Sequence, residues 1–267
     1  MANDEHVAIL EQGMEAWNAW REKNPGIVPD LTKSDLVGAD LTGAILYLTD
    51  LVDADLRGAR LRGANLTEAN LVGANLQGAG LMEAPLERAD LGGANLRDAK
   101  LMQADLRDAN LNKANLSGAN LFGANLQDVM LVETDLTGAD LSGCRIYGVS
   151  AWGLIIKPPE SAKQHNLIIT RPDEPTVTVD NIEVAQFVYL LLHNEKIRDV
   201  IDTVGKKAVL LLGRFTDERK AVLDALRRNC ASVTTCRFCS TLMFQLHGTL
   251  PRPSRCWLIW PASSLPI

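Results

Sequence analysis

The chain has 267 residues, enough for one large domain or two modest ones. Its net charge is −6 and its pI about 5.3, which argues against direct nucleic-acid binding. The opening residues Met1-Ala2-Asn3-Asp4-Glu5-His6 lack the basic start and apolar core of a secretory signal, and no apolar run approaches the ~18–20 residues of a membrane span; a cytoplasmic, membrane-free protein is expected.

Residues 1–30 read as an N-terminal cap. Asn3 or Asp4 can start a helix over residues 4–23, with Val7, Leu10, Met14 and Trp17 on one face and Trp20 beside them. Pro25 and Pro29 end it. The tryptophans are expected to pack on whatever follows rather than to grip a ligand.

Leucine then recurs at every fifth position from Leu31 to Leu141, 23 times without a break, and Ile146 extends the series. Two places before most leucines sits alanine, and the residue just before is Asp or Asn in 17 of 24 cases. Glycine follows two places after the leucine in half of the repeats, as at Gly38, Gly43 and Gly58. A period of five fits neither an amphipathic helix nor a strand. It fits a coil that turns a corner every five residues, with leucine and alanine inside and glycine where the corner needs a positive φ.

This A(D/N)LxG pattern resembles the pentapeptide-repeat family over residues 31–150. The resemblance implies an all-β repeat fold, a right-handed quadrilateral β-helix of about six coils and roughly 29 Å in length. Residues twenty apart then stack, and the surface can be read as columns. Asn75, Asn95 and Asn115 form an amide column, read as structural. Met82, Met102 and Phe122 form an apolar one that points outward. Either the chain's own C-terminal segment lies over it, or a partner protein or second copy does. Arg57, Arg60 and Arg62 on one coil, with Arg97 and Lys100 two coils on, can form a basic patch around a corner. Some members of the family mimic DNA and bind DNA gyrase. Residues 31–150 carry 16 acids and 10 bases, a net of −6, where duplex DNA of that length carries about 17 negative charges; the balance disfavours mimicry.

Residues 151–205 read as a strand and helix connector. Leu167 to Thr170 and Thr176 to Val179 look like short strands, and Asp180 with Glu183 like a capping box. The helix carries Val184, Phe187, Val188 and Leu191, and continues through Ile197, Val200, Ile201 and Val204. Residues 206–228 resemble the start of a TIR-like or nucleotide-sensing α/β domain: an apolar strand runs from Lys207 to Gly213, and Thr216 opens a helix. Residues 229–267 form an irregular tail. No Asp or Glu occurs in the 43 residues after Asp224. A change of reading frame accounts for that better than a zinc site built from Cys230, Cys236, Cys239 and Cys256.

No catalytic constellation, cofactor motif or metal site emerges: His6, His165, His193 and His247 are scattered. The expected function is a non-catalytic protein-protein interaction scaffold with an unnamed protein partner, and pairing of two copies is left open. The alternatives are a DNA-mimicking gyrase binder and a truncated effector with the rod as its sensor. The candidate binding residues are Met82, Met102, Phe122, Arg57, Arg60, Arg62, Arg97 and Lys100.

Overall fold

The computed structural model describes residues 2–158 and 161–193. Every repeat of the leucine series turns its corner in the same way. The Ala39 N–H closes a β-turn onto the Leu36 carbonyl at 3.1 Å, and Ala64, Ala89 and Ala114 close onto Leu61, Leu86 and Leu111 at 3.0 Å. The third residue of each turn is left-handed, with φ between +56° and +73° at all 24 positions from Lys33 to Gly148. Twelve of these are glycine; the other twelve, Leu48, Glu83 and Gln103 among them, are not. A side chain there costs roughly 1–2 kcal/mol, so half of the corners are held against local preference by bonds between coils.

Those bonds explain the whole motif. Take Leu56: its N–H donates to the Asn75 carbonyl at 2.8 Å, the Gly58 N–H donates to Gln77 at 2.9 Å, and the Asp55 N–H reaches back to Ser34 at 2.9 Å. With the turn bond, four of the five N–H groups in the repeat have backbone partners. The fifth belongs to the residue after the leucine, and the Asp or Asn before the leucine accepts from it. All 17 Asp and Asn residues at that position do so, from Asp30 to Asp140. The preference for these two residues is therefore turn chemistry. The Asn75–Asn95–Asn115 column serves the same end, with one added rung from Asn95 Nδ2 to Asn75 Oδ1 at 3.0 Å.

Successive coils pair in parallel at a spacing of 20 residues: Asp35 with Asp55, Asp55 with Asn75, and so on to Ser150 on Met130. The result is a β-helix of single-residue bridges with four sides, named here first to fourth after the leucines that open them, Leu31, Leu36, Leu41 and Leu46. The leucines and alanines fill its interior, nearly all fully buried. Stacking does not stop with the leucine series. Ile155 bridges Asp135, then the spacing widens to 23, with Lys163 on Asp140 and Ile168 on Arg145.

In place of the single helix expected over residues 4–23 there are two, α1 (Asp4–Glu11) and α2 (Met14–Lys23), because Gly13 takes φ +102° between them. Asn3 is the cap of α1: its side chain accepts from the Glu5 and His6 N–H groups. The cap does more than cover apolar surface. Trp17, fully buried, donates from Nε1 to the Ile45 carbonyl at 3.0 Å. Asn18 accepts from the Ile45 N–H at 2.9 Å and donates to Gly43 at 3.1 Å. Arg21 donates to the Tyr47 and Ile27 carbonyls, each at 2.7 Å, and His6 Nδ1 accepts from the Asp30 N–H at 3.0 Å. These side chains stand in for the backbone of a missing preceding coil. Trp20 lies against Trp17 and His6, at 5.4 and 5.0 Å between ring centres.

The two expected strands pair antiparallel as β1 (Leu167–Ile168) and β2 (Thr178–Val179), followed by α3 (Ile182–His193). The helix cap is Asn181, whose Oδ1 accepts from the Val184 N–H at 2.9 Å; the expected capping box from Asp180 does not form, because Asp180 instead accepts from the Asn166 N–H. Gln186 accepts from the Ala151 N–H and Gln164 from the Ile182 N–H, which fastens the hairpin and helix to the last coil. The helix continuation to Val204, the α/β segment 206–228 and the tail 229–267 with its cysteines lie outside the described residues.

Candidate functional site

The third side departs from the Asp or Asn rule in successive coils. Its residues before leucine run Asp40, Arg60, Gly80, Lys100, Asn120 and Asp140, bridged in that order. Arg60, Gly80 and Lys100 lack the side-chain oxygen in three successive coils, whereas on the other sides of the leucine series it is lacking only in isolated coils, at Met130 on the first side and at Ile45 and Pro85 on the fourth. On the same side, the residues after leucine are Thr42, Arg62, Met82, Met102, Phe122 and Ser142. Phe122 is 54% exposed, while Met82 and Met102 are half-buried. An aromatic ring held out to solvent at the end of a thioether column is a surface free to be covered. Six of the eight candidate residues, Arg60, Arg62, Met82, Lys100, Met102 and Phe122, thus share one side.

The remaining two, Arg57 and Arg97, belong to the second side, so the five cations border one corner, in two coils with one coil between them. They do not form a free basic patch, because four of them have their own carboxylates. Arg57 grips Asp55 with two nitrogens, the shorter contact 2.7 Å, and this bond raises its own pKa. Arg60 reaches Asp40 one coil back at 3.0 Å, and with the Thr42 bonds it lowers that carboxyl to about 2. Arg62 pairs with Glu83 at 2.9 Å and Arg97 with Asp98 at 3.3 Å. Pairs this exposed contribute little to stability, because water screens them. Among the described residues Lys100 has no ion pair, which leaves an apolar strip beside a single uncompensated ammonium.

Elsewhere the chemistry is that of a scaffold. Cys144 sits in an alanine position of the third side, fully buried, its thiol bonded to the Leu121 carbonyl and pushed by burial up to about 12. Tyr147 packs edge-on against Tyr189 with the Arg171 guanidinium over its ring, tying the hairpin to the rod. Burial and the charge of Asp108 raise the pKa of Asp128 nearby. Among the described residues no His, Cys, Asp or Glu cluster could hold a metal ion, and no helix is long and apolar enough to cross a membrane. The sequence reading missed His6, Asn18 and Arg21, the polar side of the cap, whose partners Asp30, Gly43, Ile45 and Tyr47 lie 24 to 27 residues away and leave no local pattern.

Comparison with known proteins finds one family. The pentapeptide-repeat profile matches eight copies over residues 49–87, 81–121 and 119–150. HetL, a pentapeptide repeat protein involved in heterocyst differentiation regulation in the cyanobacterium Nostoc sp. strain PCC 7120, is 31% identical over 55% of this chain and 78% of its own, with a TM-score of 0.29. A pentapeptide repeat protein of the Arabidopsis thaliana thylakoid lumen is 36% identical over 40% of this chain and 65% of its own, with a TM-score of 0.26. A trypsin-treated form of QnrB1, a plasmid-mediated fluoroquinolone resistance protein, is 23% identical over 44% of this chain and 58% of its own, with a TM-score of 0.36. No curated protein matches. The repeats, the four-sided coil and the identity to HetL together establish that the chain belongs to the pentapeptide-repeat family, a family of right-handed β-helices.

Proposed function

We propose that the protein is a non-catalytic scaffold that binds another protein along the third side of its rod, through Met82, Met102 and Phe122 with Lys100 beside them. The observation that carries this reading is the coincidence of two departures on one side. Three successive coils give up the turn-closing oxygen, and two of them, at Gly80 and Lys100, present Met82 and Met102 of the outward apolar column that Phe122 continues in the next coil. An aromatic flanked by flexible thioethers is the composition of an interface centre. The rod is about six coils long, and a cytoplasmic setting suits its free buried thiol. A gyrase-binding, DNA-like role is supported less: a mimic of duplex needs a continuous acidic surface, and here carboxylates of the second and third sides are bound to Arg57, Arg60, Arg62 and Arg97.

The test compares the purified protein with a Phe122→Ser, Met102→Ser variant and a Gln77→Ala, Ser117→Ala control on the second side, each immobilised against lysate of the source organism. A specific protein should be retained by the parent and the control, and be depleted about tenfold on the variant, as a loss of ~1.4 kcal/mol implies. Thermal stability should move by no more than ~0.5 kcal/mol, because the residues are at the surface. Identical captured sets on all three would overturn the assignment, as would inhibition of gyrase supercoiling at stoichiometric amounts.

A further inference from the structure

The first coil of a solenoid has an open edge, and here only half of that edge is closed. On the first and fourth sides, the Asn3 backbone and the side chains of His6, Trp17, Asn18 and Arg21 occupy it. On the second and third sides, among the described residues, the cap makes a single bond, from Asn18 Nδ2 to the Gly43 carbonyl. Among the described residues, the N–H groups of Asp35 and Asp40 and the carbonyls of Asp35, Val37, Asp40 and Thr42 have no hydrogen-bond partner. Their equivalents one coil on are all bonded. Asp55 and Arg60 donate to Ser34 and Ala39, and the carbonyls of Asp55, Arg57, Arg60 and Arg62 accept from Leu36, Gly38, Leu41 and Gly43. Two donors and four acceptors are therefore presented in the register of a strand.

The cap leaves room for one. Beside the break between α1 and α2 at Gly13 runs a cleft of about 320 Å³ between Val7, Leu10 and Met14 of the cap and Leu36, Val37 and Ala39 of the coil. Every charged residue that lines it, Glu11, Asp35 and Asp40, is acidic. Glu11 and Asp35 have no ion-pair partner among the described residues, and Val37 is 50% exposed.

We propose that this edge receives an extended basic segment of a partner protein, added parallel to the chain as a further strand across the second and third sides. Main-chain bonds to Asp35, Val37, Asp40 and Thr42 supply its affinity. Its side chains alternate, apolar ones entering the cleft and Lys or Arg facing Glu11 and Asp35. A second copy of this chain meeting the edge head to head is the weaker occupant, because it brings the same three carboxylates against themselves.

A fluorescein-labelled peptide of about ten residues, the length of two sides, alternating valine and lysine, is the probe. It is titrated into the full chain by anisotropy, with a valine–glutamate peptide as control and amide hydrogen exchange as the positional readout. Binding of the lysine peptide alone, with slowed exchange at Asp35 and Asp40, is expected. Two variants separate backbone from charge. Asp40→Asn keeps the N–H and the turn oxygen. Asp40→Pro removes the N–H at a position the coil tolerates, since Ala84-Pro85-Leu86 already carries proline there. Asp40→Pro should weaken binding about tenfold and Asp40→Asn only a few-fold, with both variants retaining the parent's tryptophan emission. Equal effects of the two variants, equal binding of the two peptides, or protection of Asp35 and Asp40 that grows with protein concentration without peptide would each overturn the proposal. The last result would assign the edge to a second copy.

Discussion

The second and third sides of the rod share one interior and differ only in what faces water. Both turn a leucine and a small residue inward at every corner, alanine everywhere except Cys144 on the third side, and both stack at 20-residue spacing through the same backbone bonds. The second side keeps Asp or Asn before the leucine in every repeat from Asp35 to Asp135, while the third replaces it at Arg60, Gly80 and Lys100. The comparison separates two demands that the repeat motif merges. The inner pair is what the coil requires to exist: leucine is kept from Leu31 to Leu141, and the alanine gives way only to other small or β-branched residues such as Ser34, Thr49 and Cys144. The turn oxygen is a local improvement that a side can lose where its surface has other work.

The strongest way to break this comparison is to cut into the interior on each side. Leu96→Ala on the second side and Leu101→Ala on the third should each cost about 2–5 kcal/mol, read from urea unfolding, because both leucines are essentially inaccessible and a solenoid core cannot collapse around the cavity. The two costs should agree within a factor of two. A Leu101 cost near that of a surface residue would mean that the third side is loosely built throughout, and its apolar column would lose its meaning as a surface.

The next effect is smaller and has opposite signs on the two sides. Asn115→Ala removes the acceptor of the Ser117 N–H bond at 3.0 Å and should cost about 1 kcal/mol. Lys100→Asn adds an acceptor where Met102 has none from its own turn, and should stabilise by a similar or slightly smaller amount. If Lys100→Asn is neutral while Asn115→Ala is costly, the backbone of the third side has already adjusted to the loss.

These two substitutions also mark how far the sequence could be read. The five-residue period, the inward leucine and alanine, the glycine corners and the capping role of Trp17 were legible because each repeats or forms a local apolar stripe. The function of the Asp and Asn residues was not: a carboxylate before a leucine looks the same whether it accepts from its own turn or faces a partner, and only the 17 bonds distinguish the two. The break at Gly13 was missed because the apolar face of residues 4–23 continues across it. The ion pairs of Arg60 with Asp40 and Arg62 with Glu83 join residues about one coil apart, so the cations read as a patch until their partners were placed. Beyond Ser150 the stacking continues with a 23-residue step, for which the leucine series offers no signal.

The smallest effect tests whether the third side is as closed inside as its differing surface allows. Cys144 stands at the alanine position of that side, and burial raises its thiol to about 12, against about 8.5 for an unfolded cysteine. At pH 8 the folded thiolate fraction is then about 10⁻⁴, against roughly a quarter when unfolded, so iodoacetamide should leave Cys144 unmodified by peptide mass spectrometry until the rod unfolds. The sign of the stability effect follows. The fold favours the protonated thiol, so stability is unaffected well below the unfolded pKa and declines as pH rises from there toward the folded value, with about 0.4 kcal/mol lost at pH 8.5 relative to pH 7. Cys144→Ala should remove that increment from the pH dependence while leaving the rest of the curve in place. Rapid labelling of the native chain at Cys144 would show that the corner beneath Phe122 opens on its own, and the claim that the two sides differ only at their surfaces would fail there.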